Sequence, residues 1–251
     1  MNTYEVIGGI ELKHVVAFQT QIMMGRQFGR IKQAQTTADI IVACLRLGWN
    51  DSFRHTSENT KRNDGQEVLA IKSAEWSKEH KADYDDYICQ ILSSEIVLDV
   101  FHRYATAKTT EEKVKAVESR FDELKPILGE VKDTTGKRRL CFGHFQKMFN
   151  IAIKLYLCLY MCRGFLDIDE GRFDIEIIHA LEKADCPIDS VILGKLAEDT
   201  SCKTYSKYKW SKFGTASHPI DEYTAVQEEI SKLPQTDGKS NLYYDFIAWE
   251  K

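Results

Sequence analysis

A lysine and an aspartate that can act together on a sugar carbon lie in unusual surroundings. Lys147 lies inside an apolar run, LCFGHFQKMFNIAIKLYLCLYM (140–161), and Asp189 lies in CPIDSVILGKL (186–196). Apolar burial disfavours the charged form of an amine, so its nitrogen becomes a better nucleophile. An aspartate in the first turn of a helix is favoured as an anion and can stabilise positive charge on a sugar. We therefore expect Lys147 to attack, and Asp189 to help deprotonate the lysine and to stabilise charge.

The spacing around these two residues resembles that of the helix-hairpin-helix DNA glycosylases. Residues 143–150 read G-x-x-x-K-x-x-N and residues 188–192 read I-D-S-V-I. The family's hairpin runs G-x-G-x-K-x-x-[AN], and its next helix begins V-D-[ST]-x-[VI]. The resemblance covers about residues 139–197. It implies that Gly143 is the first hairpin glycine, Lys147 the catalytic lysine and Asp189 the catalytic aspartate.

The chain departs from the family pattern at several positions. Phe145 replaces the second hairpin glycine, and Cys141-Phe142 stands where the family has Leu-Pro. Asp189 follows Lys147 by 42 residues, a longer connection than is usual, although the archaeal 8-oxoguanine glycosylases also lengthen it. The four-cysteine iron–sulfur loop of some members has no counterpart in this sequence.

The resemblance implies a DNA glycosylase, with or without AP-lyase activity, that flips an altered base from double-stranded DNA into a helical cleft. A flipped base needs a pocket with aromatic walls, and N–H groups at the Gly143 turn would bind a DNA phosphate. We expect no cofactor and no metal ion. The residues expected to bind DNA or the base are Gly143, His144, Gln146, Asn150, Lys207, Lys209 and Trp210.

Residues 203–213, KTYSKYKWSKF, alternate lysines with aromatic residues. Lysines bind phosphates and aromatic rings stack on bases, so this segment fits a nucleic-acid surface. The basic residues 137–139 would extend that surface. The alternative is a solvated loop that its aromatic side chains anchor to the core.

Two other functions remain open. Arg172 and His179 form R-x6-H, which approaches the pattern of HEPN ribonucleases, where an arginine and a histidine cleave RNA by acid–base chemistry. The other function is a non-enzymatic helical interaction module. In that case Lys147 extends from a core helix to water and Asp189 is an ordinary residue at the start of a helix.

Length and composition set broader limits. The chain has 251 residues and a net charge of -4, so nucleic-acid binding requires a local basic patch. The seven cysteines are odd in number and mostly lie in apolar runs, which favours reduced thiols. We predict no signal peptide and no membrane span, because the longest uncharged run in the apolar segment is 155–162. We expect a monomer that is cytoplasmic or nucleoid-associated and not secreted.

Hydrophobic spacing predicts an all-α fold, a two-lobed helical domain of the helix-hairpin-helix glycosylase type. We expect one unit over 1–251, with lobes 1–132 and 133–251 and the hairpin and catalytic segment at 140–197. Gly48 is predicted to end a helix and 50–66 to form a loop. The other helices are predicted at 9–33, 110–125, 140–161, about 173–184, 220–233 and 241–251, and one more begins near Pro187. Residues 67–107 are predicted to form one or two helices, and Pro126 is expected to break the helix over 110–125. A minor hairpin is predicted near the N-terminus.

Overall fold

A computed structural model describes residues 6–15, 30–31, 33–61, 84–128 and 141–249. Within these ranges the chain forms helices and turns without a strand, so the all-α prediction is confirmed. Two isolated β-bridges join Ile7 to Ile10 and Thr215 to His218. The α-helices are α1 (Thr37–Lys61), α2 (Tyr84–Leu92), α3 (Glu95–Thr106), α4 (Thr110–Glu118), α5 (Phe121–Leu128), α6 (Phe142–Met161), α7 (Arg163–Leu166), α8 (Ile175–Ala180), α9 (Ser190–Asp199), α10 (Ile220–Ser231) and α11 (Leu242–Ala248).

Helix α6 is the centre of the fold. Every residue from Phe142 to Asn150 is buried, as the apolar composition of this segment predicts. Its most extensive packing is against α1, and it also contacts α3, α4 and the turn Trp210–Lys212. One hydrophobic core joins residues from both halves of the chain, including Trp49, Phe101, Phe149 and Tyr223.

The prediction that Gly48 ends a helix is wrong, because α1 continues through it to Lys61. Gly48 instead allows α1 to approach α6 closely. A Cβ at this position would overlap the backbone carbonyl oxygen of Met148. The predicted loop over 50–66 is therefore helical from residue 50 to residue 61.

The expected break at Pro126 is also wrong. Helix α5 continues past Pro126 to Leu128, and the chain turns earlier, at Ser119 and Arg120. This turn redirects the chain so that the Phe121 ring meets the Phe145 ring of α6, with 5.5 Å between centroids. The predicted start of α4 is confirmed, because Thr109 caps this helix in a capping box.

Some predictions fall on residues outside the described ranges. These are most of the helix over 9–33, the segment 62–83, and the stretch 129–140, which includes the basic residues 137–139. In the portion that the structure does describe, we find no helix with both the length and the apolar character needed to cross a bilayer.

Candidate active site

The structure brings Lys147 and Asp189 together. The Lys147 Nζ atom lies 3.5 Å from Asp189 Oδ2, and 2.9 Å from Oδ2 of a second carboxylate, Asp51. The lysine side chain is 7% exposed, the Asp189 side chain 17% and the Asp51 side chain 53%. The Lys147 amine therefore lies just below the protein surface, and the site is most open to solvent on the side where Asp51 lies.

Asp189 is held by the start of α9. As the N-cap residue, it accepts hydrogen bonds at Oδ1 from the backbone N–H groups of Val191 and Ile192, at 2.9 and 3.0 Å. These bonds satisfy N–H groups that the helix itself cannot pair, and they favour the carboxylate anion. Its second oxygen, Oδ2, is left to face Lys147. The predicted position of Asp189 in the first turn is thus one residue from the observed cap.

Gln146 fixes the segment that carries Asp189. Its Nε2 donates to the Ile188 carbonyl at 2.8 Å, and its Oε1 accepts from the Ile188 N–H at 3.1 Å. Because Gln146 precedes Lys147 on α6, this amide clamp ties the lysine helix to the aspartate loop. Gln146 is fully buried and has a positioning role here, and its contact with DNA or the base stays a prediction.

Asn150 has a similar role one turn further along α6. Its Nδ2 atom donates to the Cys186 carbonyl at 3.3 Å and to the Tyr223 hydroxyl at 3.2 Å. Tyr223 in turn donates to Asp185 at 2.8 Å. Asn150 is fully buried and also has a positioning role, and its contact with DNA or the base stays a prediction.

A stripe of four residues at helical spacing on α6 contacts segments from the C-terminal part of the chain. Besides Lys147, its second lysine, Lys154, forms a buried ion pair with Asp245, at 2.5 Å between Nζ and Oδ2. Each of the two lysines therefore has a carboxylate partner. The stripe is the face of α6 against which later segments of the chain pack. Its members are Gly143, Lys147, Asn150 and Lys154.

Trp210 forms one wall of the site. The Lys147 Nζ atom lies 4.7 Å from the centroid of the Trp210 ring, within cation–π range. The turn Trp210–Lys212 is pressed against the first turn of α6. There the Cys141 thiol donates to the Ser211 carbonyl at 2.9 Å.

Gly143 allows this close approach. Its N–H donates to the Phe213 carbonyl at 3.0 Å, and a DNA phosphate contact at the Gly143 turn stays a prediction. A Cβ at Gly143 would overlap the Trp210 carbonyl oxygen. The glycine is therefore required for packing between α6 and the turn that carries Trp210.

We expect Gly143→Ala to destabilise the protein by about 2–3 kcal/mol, because the added methyl group meets backbone and cannot be accommodated by a side-chain rotation. It should also move Trp210 away from Lys147. Gly194→Ala is the matched control, since a Cβ at Gly194 in α9 meets nothing within 4 Å. Urea unfolding monitored by tryptophan fluorescence measures both, and equal stabilities of the two variants would contradict this packing role.

His144 is buried against Trp210 and does not line an open pocket. Its ring centroid lies 6.0 Å from that of Trp210, and its Nδ1 lies 3.4 Å from the Cys141 sulfur. The contact of His144 with DNA or the base stays a prediction. Burial lowers the pKa of His144 from 6.5 to about 4, so its ring is neutral near pH 7.

This pKa shift predicts a pH dependence of stability. Between pH 6.5 and 4 the unfolded chain binds a proton at His144 that the native protein does not. Stability should therefore fall as pH decreases through this window, by up to about 3 kcal/mol. We expect urea unfolding of His144→Phe to lose less stability between pH 7 and pH 4.5 than the wild type. His179→Gln, a change at an exposed histidine, is the control, and identical pH slopes in all three proteins would contradict the prediction.

The lysine-rich segment 203–213 separates into two surfaces. Lys203, Lys207, Lys209 and Lys212 are exposed, as a phosphate-binding surface requires. The aromatic rings turn inward, and Phe213 is fully buried against Tyr223, with 6.0 Å between centroids. Base stacking by Phe213 is thus excluded in this conformation. Lys207 and Lys209 remain predicted DNA contacts.

Asp51 is the site residue that sequence reasoning missed. Treating Gly48 as the end of a helix placed Asp51 in a loop, whereas α1 carries it one turn beyond Gly48 and over Lys147. A signal was present in the sequence. The spacing of the buried residues continues past the glycine with helical period, through Cys44, Leu45, Gly48, Trp49 and Ser52.

The residues of the ribonuclease alternative have other contacts. Arg172 donates to the Ala34 carbonyl at 2.6 Å, and His179 is exposed on α8. Among the residues that the structure describes, these two share no hydrogen bond or ring contact. The arrangement gives Arg172 a structural role at the end of a short helical turn.

One further group has the residue types of a metal site. His102, Asp174 and Glu176 bring their ligand atoms within 4.8 Å of one another at the surface. Asp174 caps α8 through Oδ1, while its Oδ2 pairs with His102 Nε2 at 3.1 Å. These contacts are those of a helix cap and an ion pair, and the group lies on α3 and α8, elements that do not carry Lys147.

Comparisons of the chain with protein-family models, with curated proteins and with solved structures gave no match. The geometry of the Lys147 site is therefore the basis for a functional proposal.

Proposed function

We propose that this protein is a DNA glycosylase that removes a damaged or modified base from double-stranded DNA, with Lys147 as the nucleophile. The supporting observation is the convergence of the Lys147 amine and the Asp189 carboxylate, which lie 42 residues apart in the chain and 3.5 Å apart in space. Such a pair suits attack on a sugar carbon beside an anion that stabilises the charge developing there.

The reaction begins with transfer of a proton from the Lys147 ammonium to a neighbouring carboxylate. The Nζ lone pair then bonds to C1′ of the deoxyribose while the bond from C1′ to the base breaks, and its electron pair leaves with the base. The base takes up the proton that the carboxylate accepted. One of the two protons on Nζ then passes to O4′ as the bond between C1′ and O4′ breaks, which leaves a protonated Schiff base between Lys147 and C1′.

Asp189 stays an anion during this sequence. Its Oδ1 is occupied by two backbone N–H groups, so its charge is held in place at the start of α9. The positive charge that develops on the sugar ring would face Oδ2. A fixed carboxylate aimed at developing charge lowers the barrier without having to reorganise during the reaction.

The surroundings of the site supply contacts for DNA. Exposed Lys207 and Lys209 lie in the same segment as Trp210, whose ring covers the lysine amine. Phosphates would meet the lysines, and an extruded base would enter beside Trp210. We place the protein, as a monomer, in the cytoplasm or on the nucleoid, where such DNA lies.

Borohydride trapping tests this proposal. The wild-type protein is mixed with duplexes that each carry one altered base, with oxidised purine, alkylated base, uracil and an abasic site in the panel. Borohydride reduces a Schiff base to a stable amine, so we expect a protein–DNA adduct on at least one duplex. Base release without any adduct would show that Lys147 is not the nucleophile, and neither release nor adduct on any duplex would contradict the glycosylase function.

A further inference from the structure

We infer that Asp51 is the general base of the strand-cleaving step in the AP-lyase activity that the resemblance leaves open. This inference rests on the proposed function. The motivating observation is that the site holds two carboxylates where one nucleophile needs only one. Asp51 Oδ2 is the nearer of the two to the Lys147 amine, at 2.9 Å, and the Asp51 side chain is 53% exposed.

The two carboxylates differ in their freedom to take a proton. Asp189 is 17% exposed, and one of its oxygens accepts two backbone hydrogen bonds. Asp51 lies on the surface of α1 with Lys147 as its ion-pair partner, and half of its side chain is exposed to solvent. Asp189 is therefore suited to be a fixed anion, whereas Asp51 can accept a proton and exchange it with water.

The position of Asp51 fits the proton that must be removed. In the Schiff base, C1′ is bonded to Nζ and C2′ is one bond further. A carboxylate within hydrogen-bonding distance of Nζ is thus within reach of C2′. The positively charged C1′=Nζ group makes the hydrogens on C2′ acidic, because the electrons released from C2′–H can move toward the nitrogen.

The step balances without any added reagent. Asp51 takes the proton from C2′, and the electron pair of the broken C–H bond forms a C1′=C2′ double bond while Nζ becomes neutral. The lone pair on Nζ then forms the C1′=Nζ double bond again, and the electron pair of the C1′=C2′ bond moves to form a C2′=C3′ double bond. The C3′–O bond breaks at the same time, and the phosphate on the 3′ side leaves with its electron pair. Water hydrolyses the remaining conjugated iminium, which frees the Lys147 amine.

A duplex with a preformed abasic site tests this step, because it needs no base excision. We would measure the rate of strand cleavage and the yield of borohydride-trapped adduct, and use their ratio. For Asp51→Asn we expect this ratio to fall about 100-fold, the usual size of a general-base effect. The deficit should shrink as pH rises, because hydroxide replaces the carboxylate, and Asp51→Glu should restore part of the ratio.

Asp167→Asn is the matched control. Asp167 is exposed, and its φ of 55° lies in the left-handed region that asparagine tolerates well, so the change removes the same charge without strain. Its ratio should equal that of the wild type. An unchanged ratio in Asp51→Asn, or a wild type that forms the adduct without cleaving the strand, would overturn the inference and leave the glycosylase proposal standing. A wild type that forms no adduct on any duplex would remove both.

Discussion

Lys147→Gln should abolish the borohydride-trapped adduct and reduce base excision by about 10³-fold or more, because it removes the nucleophile. Glutamine is close to lysine in volume and can still hydrogen bond to Asp51 and Asp189, so the fold should be kept. Excision is measured in single-turnover reactions on the best duplex of the panel, and adduct formation on the same samples.

Lys147→Arg tests the same role of Lys147 as a nucleophile without removing its positive charge. Arginine keeps the positive charge beside the carboxylates Asp51 and Asp189, but its guanidinium stays protonated and cannot form a Schiff base. We expect this variant to bind the duplex and to form no adduct. Adduct formation by either variant would mean that another amine attacks the sugar.

Lys113→Met should cause the largest loss of stability, about 3–5 kcal/mol, because it leaves a buried charge without its partner. The Lys113 Nζ lies 2.8 Å from Asp185 Oδ1, and the two side chains are 1% and 4% exposed. Asp185 begins the segment that leads to Asp189, so catalysis should also slow. Urea unfolding measures the stability.

Two further variants distinguish the loss of a charge partner from the loss of packing as the cause of the destabilisation. Arg103→Met breaks an exposed ion pair with Asp99 and should cost less than about 1 kcal/mol. The double variant Lys113→Met/Asp185→Asn removes both charges and should be more stable than Lys113→Met alone. Equal losses in the single and double variants would show that lost packing, and not the unpaired carboxylate, causes the destabilisation.

Composition was a sufficient guide to the central helix. The run of apolar residues around Lys147 predicts a buried helix, and α6 begins and ends within two residues of the prediction. Proline and glycine were less informative. Pro126 and Gly48 read as breaks, yet each lies inside a helix. At Gly48 the absence of a side chain allows close packing against α6.

The sequence predicted two residues of the candidate site, Lys147 and Asp189, but not the complete site. Lys147 stands out because a lysine inside an apolar helix is unusual, and Asp189 stands out because the spacing around both residues resembles a known family motif. Asp51 could not be placed beside them, since its position depends on how α1 crosses α6. Gln146 and Asn150 have polar side chains that suit ligand contact as well as loop anchoring, and only the tertiary structure separates these roles.

Locating the adduct on the chain tests the central claim most directly. Wild-type protein is trapped on an abasic duplex with borohydride, the DNA is digested, and the peptides are analysed by mass spectrometry. We predict that the reduced sugar remnant lies on Lys147, in the peptide from the start of α6. A remnant on any other lysine, or on the N-terminal amine, would contradict the account.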